Sequence, residues 1–208
     1  MKKLLLVLIL LIYSCQSDNQ PQTAKADFEF SSFDISMQDT NSIFSKDLDK
    51  SKLIETIGAS NVSDTTEWIE EGTVEVITTR IYFGTDKELT IYWNKDNKLK
   101  SILLNKPNSK WSINKIKGGM TLDEVIAINT ADFDYYGFGW DNGGYVYDWN
   151  HGALTDSTNN FRVNLNLDWD KVGNQNIDKF MGDNVKLKSN NPELKKLGLS
   201  VYSILAIY

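Results

Sequence analysis

The chain has little with which to do covalent chemistry. Cys15 is the one cysteine and His151 the one histidine in 208 residues. A single thiol excludes an internal disulfide framework. A single imidazole cannot by itself build a histidine-based triad or a zinc site. Long apolar runs are absent too: Leu4 to Tyr13 is a run of ten, too short to span a hydrocarbon core of about 30 Å. Positive charge is outnumbered, with 22 Lys and Arg against 28 Asp and Glu. With no basic stripe visible, this balance speaks against nucleic acid as a partner.

What is present begins with Lys2 and Lys3 ahead of that apolar run, the layout of a secretory signal. Ile12-Tyr13-Ser14-Cys15 then resembles a bacterial lipobox. Residues 1–14 are therefore expected to be a lipoprotein signal peptide, with Cys15 the lipidation site. The competing reading is a plain signal peptide with a chance cysteine. Multiple acyl chains, at about 0.8 kcal/mol per buried CH₂, make a stable anchor. Lipidation would consume the sole thiol. Residues 15–27 read as a flexible tether: Gln16 to Asp27 is polar, without periodicity, and reaches roughly 20 Å as a coil. Gln16, rather than Asp, after the cysteine leads to an expectation of the outer membrane, on its periplasmic or cell-surface side. Asp18 resembles part of an acidic export tag. Loss of residues 1–14 removes Lys2 and Lys3, leaving 20 basic against 28 acidic side chains, net −8.

Residues 28–208 are long enough for one domain with a real core, or for two units, 28–108 and 109–208. Phe28 to Phe30 and Phe33 to Met37 alternate like strands. Ser45 to Ile57 reads as a helix stopped at Gly58. Val74 to Phe83, Glu88 to Asn94 and Leu99 to Leu104 form an expected meander, with Phe83 opposite Leu89, Ile81 opposite Ile91, Trp93 opposite Leu99, and Leu89 opposite Leu103. Met120-Thr121-Leu122-Asp123-Glu124-Val125 is a helix start, Thr121 and Glu124 forming a capping box. Phe161 to Asp168 and Val201 to Tyr208 read as strands, with a helical turn at Glu193 to Leu197 between them. The expected class is α+β: short helices packed on an antiparallel sheet, in two tandem helix-then-strands units if a weak internal duplication holds.

The most concentrated feature is Phe133 to Gly152, FDYYGFGWDNGGYVYDWNHG, with eight aromatics and five glycines. Asn142-Gly143 between aromatic runs predicts a hairpin on a type I′ turn. That turn sets Asp141 opposite Gly144, Trp140 opposite Tyr145, Phe138 opposite Tyr147, and Tyr136 opposite Trp149. The six aromatics then share one face. Such a face is either core or an exposed binding platform, or core with Trp140 and Tyr145 at an exposed rim.

Other patterns carry less. Gly137 to Gly143 lacks the spacing and the Lys-Ser/Thr of a phosphate loop. Asp168 to Lys179 fits a calcium loop at three positions but has Lys179 where a bidentate Glu is required. His151 sits in a turn. Glu67, Glu70 and Glu71 flank Trp68, yet acids beside one Trp are commonly a solvated loop. Asp64-Thr65-Thr66 and Asp156-Ser157-Thr158 resemble a short O-glycosylation sequon. No catalytic residue, metal ligand or cofactor site is specified.

Ile116-Lys-Gly118-Gly-Met120-Thr121-Leu-Asp-Glu124-Val125 resembles the helix-start motif of a lipoprotein superfamily that includes the SmpA/OmlA lipoproteins and the β-lactamase-inhibitor-protein-like domains. Asn129 stands where that group commonly has glycine at the helix end. The resemblance implies short helices on an antiparallel sheet and a non-enzymatic role, inhibiting an enzyme or scaffolding outer-membrane assembly. The expectation is thus a lipid-anchored envelope domain that binds another envelope protein, with Tyr136, Phe138, Trp140, Tyr145, Tyr147 and Trp149 as the candidate binding residues. The alternative is a surface carbohydrate-binding lipoprotein stacking sugars on the same aromatics, with Asp141, Asn142 or Asp148 bonding hydroxyls.

Overall fold

A computed structural model describes residues 28–36, 39, 42–155, 160–182 and 184–208. The expected signal peptide, Cys15 and the tether lie outside the described residues, as do Met37 and the Asp156-Ser157-Thr158 pattern.

Local signals place the helices. Asp49 accepts the Lys52 N–H at 2.9 Å and caps α1 (Lys50–Ile57), which buries Leu53 and Ile57. The helix is thus shorter at its start than the expected Ser45 to Ile57, because the cap falls at Asp49. Gly58, at φ +87°, ends it. Thr121 and Glu124 form the expected capping box at α2 (Leu122–Asn129): the Glu124 N–H donates to Thr121 Oγ1 at 3.3 Å, and the Thr121 N–H donates to Glu124 Oε2 at 2.8 Å. Two short helices follow, α3 (Trp169–Val172) behind an Asp168 cap and α4 (Pro192–Lys196) behind Asn191.

The strands are β1 (Asp34–Ile35), β2 (Val62–Ile69), β3 (Val74–Ile81), β4 (Leu89–Trp93), β5 (Leu99–Leu104), β6 (Ser112–Ile113), β7 (Asp134–Tyr136), β8 (Val146–Asp148), β9 (Phe161–Asn166), β10 (Lys186–Lys188) and β11 (Ser200–Ile207). Six form one antiparallel sheet in the order β2-β3-β4-β5-β11-β9. Each half of the chain supplies a helix followed by antiparallel strands, and the two halves meet inside this sheet, where β11 lies between β5 and β9. A second sheet, β10-β7-β8, abuts β9 through a Tyr145–Asn164 bridge and the Leu165 N–H bond to Gly144 O at 2.9 Å. Among the described residues no helix is long and apolar enough to cross a membrane.

The meander exists with a different register. Ile81 pairs with Leu89, two residues from the expected partner, because Tyr82 takes φ +48° and turns the chain before Phe83. A shift of two preserves the faces, so Ile81, Leu89 and Ile91 still point into the core, whereas Phe83 leaves the strand and is exposed. Trp93 meets Leu99 as expected. An irregularity there leaves Lys100 over, which sets Thr90 opposite Leu103 and turns Ile102 and Leu104 inward in place of Leu103. The Glu67-Trp68 stretch, expected as a loop, is strand β2. An edge strand open on both faces needs no apolar alternation, so Ser-Asp-Thr-Thr-Glu gave no strand period. Among the described residues of the expected N-terminal strands, only Asp34–Ile35 forms a strand, parallel to β6. Phe30, Phe33 and Phe44 instead pack edge-on around the buried Trp111 at 4.7 to 5.6 Å.

One face of the six-stranded sheet joins a single core cluster with α1 and α2, through Leu53, Ile57, Leu122 and Val125. Across the other face runs a row of directly paired residues, Ser63, Arg80, Thr90, Leu103, Leu205 and Arg162. Leu103, Leu205 and Ile207 on this second face are half-buried and stand apart from the core cluster.

Candidate binding face

The aromatic stretch is divided between core and surface, and the expected two-residue hairpin is absent. Neither Asn142 nor Gly143 has the positive φ that a type I′ turn demands. The observed pairs are Asp134 with Asp148 and Tyr135 with Val146, with an irregularity between them. Tyr136 N–H donates to Tyr145 O at 3.0 Å, so Tyr145 and not Trp149 stands opposite Tyr136. None of the four expected pairs forms. Gly137 and Phe138 are drawn away by residues more than forty positions downstream. Gly137 N–H bonds Val185 O at 2.8 Å, Phe138 N–H bonds Phe180 O at 2.9 Å, and Gly182 N–H returns to Phe138 O at 2.9 Å. A Cβ on Gly137 would lie 2.7 Å from Val185 Cβ and 2.8 Å from Phe180 O. The glycine serves close strand approach, not a turn.

This pairing sorts the candidate residues. Trp149 (1 % exposed) and Phe138 (4 %) are core, with Phe133 and Tyr135. Trp149 packs on Phe133 at 5.2 Å and on Phe161 at 6.2 Å. Both face away from solvent, so the expected single face of six does not form: three tyrosines make one surface cluster, and Trp140 is exposed in the loop between them. Trp140 is 62 % exposed. Tyr136, Tyr145 and Tyr147 are half-buried, with Tyr136 tilted against Tyr147 at 4.6 Å and stacked on Tyr145 at 6.3 Å.

Cations flank the three rings, which sequence reading did not anticipate. The Arg162 guanidinium sits 5.8 Å from the Tyr145 ring and Lys186 Nζ 5.2 Å from the Tyr147 ring. Both lie far from the rings in sequence, and only the β9 and β10 pairings bring them together. The spacing suits cation–π attraction. Burial chiefly, then the Asp134 charge, the Tyr136 hydroxyl and the Asp148 charge, raise the Tyr147 hydroxyl above its ordinary pKa. The patch is thus aromatic in the middle, cationic at two sides and acidic at a third.

A second polar group occupies the far end of the same face. Glu67 receives Arg80 Nη2 at 3.2 Å on one oxygen and the Tyr92 hydroxyl at 2.7 Å on the other. Burial first, then the Glu67 bond and charge, hold the Tyr92 proton on well beyond the ordinary tyrosine range.

Elsewhere the chemistry is quiet. A cavity of about 500 Å³ lies between Thr121, Asp168, Lys195 and Gly198, but its charges are spent on each other, as Lys195–Asp123 and Lys171–Asp168 pairs. The would-be calcium loop is α3, with Asp168 Oδ1 accepting the Asp170 and Lys171 amides. His151 is exposed in a turn at φ +61°. Among the described residues no group of three or more His, Cys, Asp or Glu is placed to hold a metal. No family model matches the chain, and neither a curated protein nor a solved structure matches it.

Proposed function

We propose that the chain is a non-enzymatic, lipid-anchored binding domain of the cell envelope, held at the outer membrane through Cys15, and that its partner is another envelope protein. One observation carries the reading: the surface cluster of Tyr136, Tyr145 and Tyr147 with Arg162 and Lys186 against its rings, and the exposed Trp140 in the loop that leads to Tyr145. Tyr, Trp and Arg are the side chains enriched at protein interface hot spots, the aromatics because they bury much area at little entropic cost. The lipobox-like Ile12-Tyr13-Ser14-Cys15 and the resemblance of the α2 start to the SmpA/OmlA group support the location and the role.

A second reading, carbohydrate binding, is favoured by the Asp134 and Asp148 carboxylates near Tyr147. Rings for stacking beside acceptors for hydroxyls suit a sugar.

Two comparisons test both. The full chain and its Trp140→Ala and Tyr145→Ala variants are presented to outer-membrane protein extracts and to a glycan array. Specific protein capture lost in both variants, with a silent array, supports the first reading. An array signal lost in the same variants supports the second. Capture that neither variant alters removes this face from both. Metabolic labelling with a radioactive fatty acid, absent in Cys15→Ser, tests the anchor.

A further inference from the structure

Among the described residues, the largest group of exposed apolar side chains lies not on the aromatic stretch but on the β2–β3 hairpin. Trp68 (61 % exposed), Ile69, Val74 and Ile77 (66 %) all lie there. Thr66 pairs with Ile77 and Trp68 with Glu75, so the Trp68 and Ile77 side chains share one side as diagonal neighbours. β4 pairs with β3 only over Thr78 to Ile81, which leaves the outer part of the hairpin projecting from the sheet. β2 is a terminal strand with an unbroken eight-residue register against β3. It contains no proline, no lysine and no bulge, the usual devices that blunt an edge.

The phase of the ladder shows which main-chain groups are free. Tyr82 N–H bonds Asn61 O at 2.9 Å. In an antiparallel pair bonded residues alternate. Residues 63, 65, 67 and 69 therefore bond β3, while the N–H and C=O groups of Asp64, Thr66 and Trp68 point to the open edge; the Val62 N–H is held by Ala59 O.

Charge says what fits there. From Leu53 to Thr79 there are six acidic residues and neither lysine nor arginine. Asp64 is taken by Lys50 and Thr79, and Glu67 by Arg80 and Tyr92. Glu70, Glu71 and Glu75, around the hairpin tip, have no cationic partner among the described residues. A second copy would set two acid-only stretches side by side, which is unfavourable.

We infer that the β2 edge is a second docking site, which takes an extended basic segment of a partner protein as an added strand. Main-chain bonds to Asp64, Thr66 and Trp68 supply the pairing. Apolar side chains of the segment cover Trp68 and Ile77, and its Lys or Arg side chains meet Glu70 and Glu71 at the tip. Alternate side chains thereby set specificity while the backbone supplies affinity.

The probe is a fluorescein-labelled octapeptide alternating lysine and valine, titrated by anisotropy into the full chain in detergent. Two control peptides replace lysine by glutamate, or keep the lysines and interrupt the strand with proline. Thr66→Pro removes one edge N–H while sparing the β3 ladder, a position that tolerates proline. The expected result is binding of the lysine–valine peptide, weakened at least about tenfold by either control and by Thr66→Pro, and unchanged by Trp140→Ala. The triple variant E70K/E71K/E75K, confined to the exposed tip, is expected to reverse the preference towards the glutamate peptide. It decides the matter if Thr66→Pro fails to fold. Equal binding of the proline-interrupted peptide means charge alone and overturns the inference, as does no binding at all. A dimer in sedimentation that Thr66→Pro dissociates would assign the edge to a second copy, and overturns it too.

Discussion

Arg80 and Arg162, the two arginines of the chain, stand in one transverse row of the six-stranded sheet, with Thr90, Leu103 and Leu205 paired between them. At about 4.8 Å per strand, four strand steps separate them by roughly 19 Å. Their surroundings differ. Arg80 is bonded to Glu67, which also holds Tyr92. Arg162 has no carboxylate partner among the described residues and lies against the Tyr145 ring. One guanidinium closes a network of the fold, and the other rests on an aromatic ring.

This difference predicts opposite phenotypes. Arg80→Ala should lower unfolding free energy by about 1 kcal/mol, since it strips a largely buried carboxylate of a charged donor. Arg162→Ala should stay within about 0.5 kcal/mol of the parent. Urea melts measure both. If Arg162→Ala proved the costlier of the two, Arg162 would belong to the fold and not to the candidate face.

The two tryptophans of the aromatic stretch should separate in the same way. Trp149→Ala opens a cavity beside Phe133 and Phe161, and is expected to cost about 3–5 kcal/mol. Trp140→Ala touches an exposed ring and should cost less than about 0.5 kcal/mol. Hydroxyl-radical footprinting gives an independent check: Trp140 should oxidise readily in the isolated chain and Trp149 should not.

Alkaline titration tests the buried hydroxyls. Burial raises the Tyr135 and Tyr208 ionisations far above the ordinary value of 10.0, and burial with Glu67 does so for Tyr92. A group whose folded pKa is raised contributes stability that is intact below the unfolded pKa and is lost as pH rises through the folded one. The stability curve should therefore be flat in these groups up to about pH 10 and fall above it. Ultraviolet titration should show Tyr92, Tyr135 and Tyr208 ionising only with loss of structure. Replacing Tyr92 by Phe should remove part of the alkaline slope. A single smooth ionisation of all tyrosines in the folded chain would contradict their burial.

What the sequence disclosed follows from which forces are local. The α2 capping box, the α+β class and the alternation of β9 were readable, because caps and side-chain periods act within a few residues. The hairpin failed where a distant segment competed. Asn142-Gly143 favours a tight turn, yet Phe180 to Val185 claims the Gly137 and Phe138 amides, and no local pattern announces that. Strand β2 was missed because solvent on both faces erases the apolar period. Of the candidate site, Trp140, Tyr136, Tyr145 and Tyr147 were nameable from clustering alone. Arg162 and Lys186 became visible only through strand pairing.

Asn129 shows how a departure from the helix-start resemblance can be built into a fold. It occupies the helix end where that group commonly has glycine, and it is fully buried. Its Nδ2 donates to Ala131 O and to Trp149 O, each at 2.9 Å, while Oδ1 accepts the Leu154 N–H at 3.1 Å. The turn after β8 is thereby fastened to the end of α2, with Thr130 taking the left-handed position at φ +62°. Gly152 presses so closely on the Asn129 amide that no Cβ would fit. Asn129→Ala should leave three main-chain groups, two of them buried, without this partner, at about 1–3 kcal/mol for the most enclosed of them and a total near 3 kcal/mol. Asn129→Gly, the residue of the resemblance, loses the same bonds and should be no better, since the left-handed position belongs to Thr130 and glycine in the last helical turn lowers helix propensity. A thermal melt of both variants decides it. A glycine variant as stable as the parent would mean that the side-chain bonds are replaced by water, and that the 149–154 turn holds its place without them.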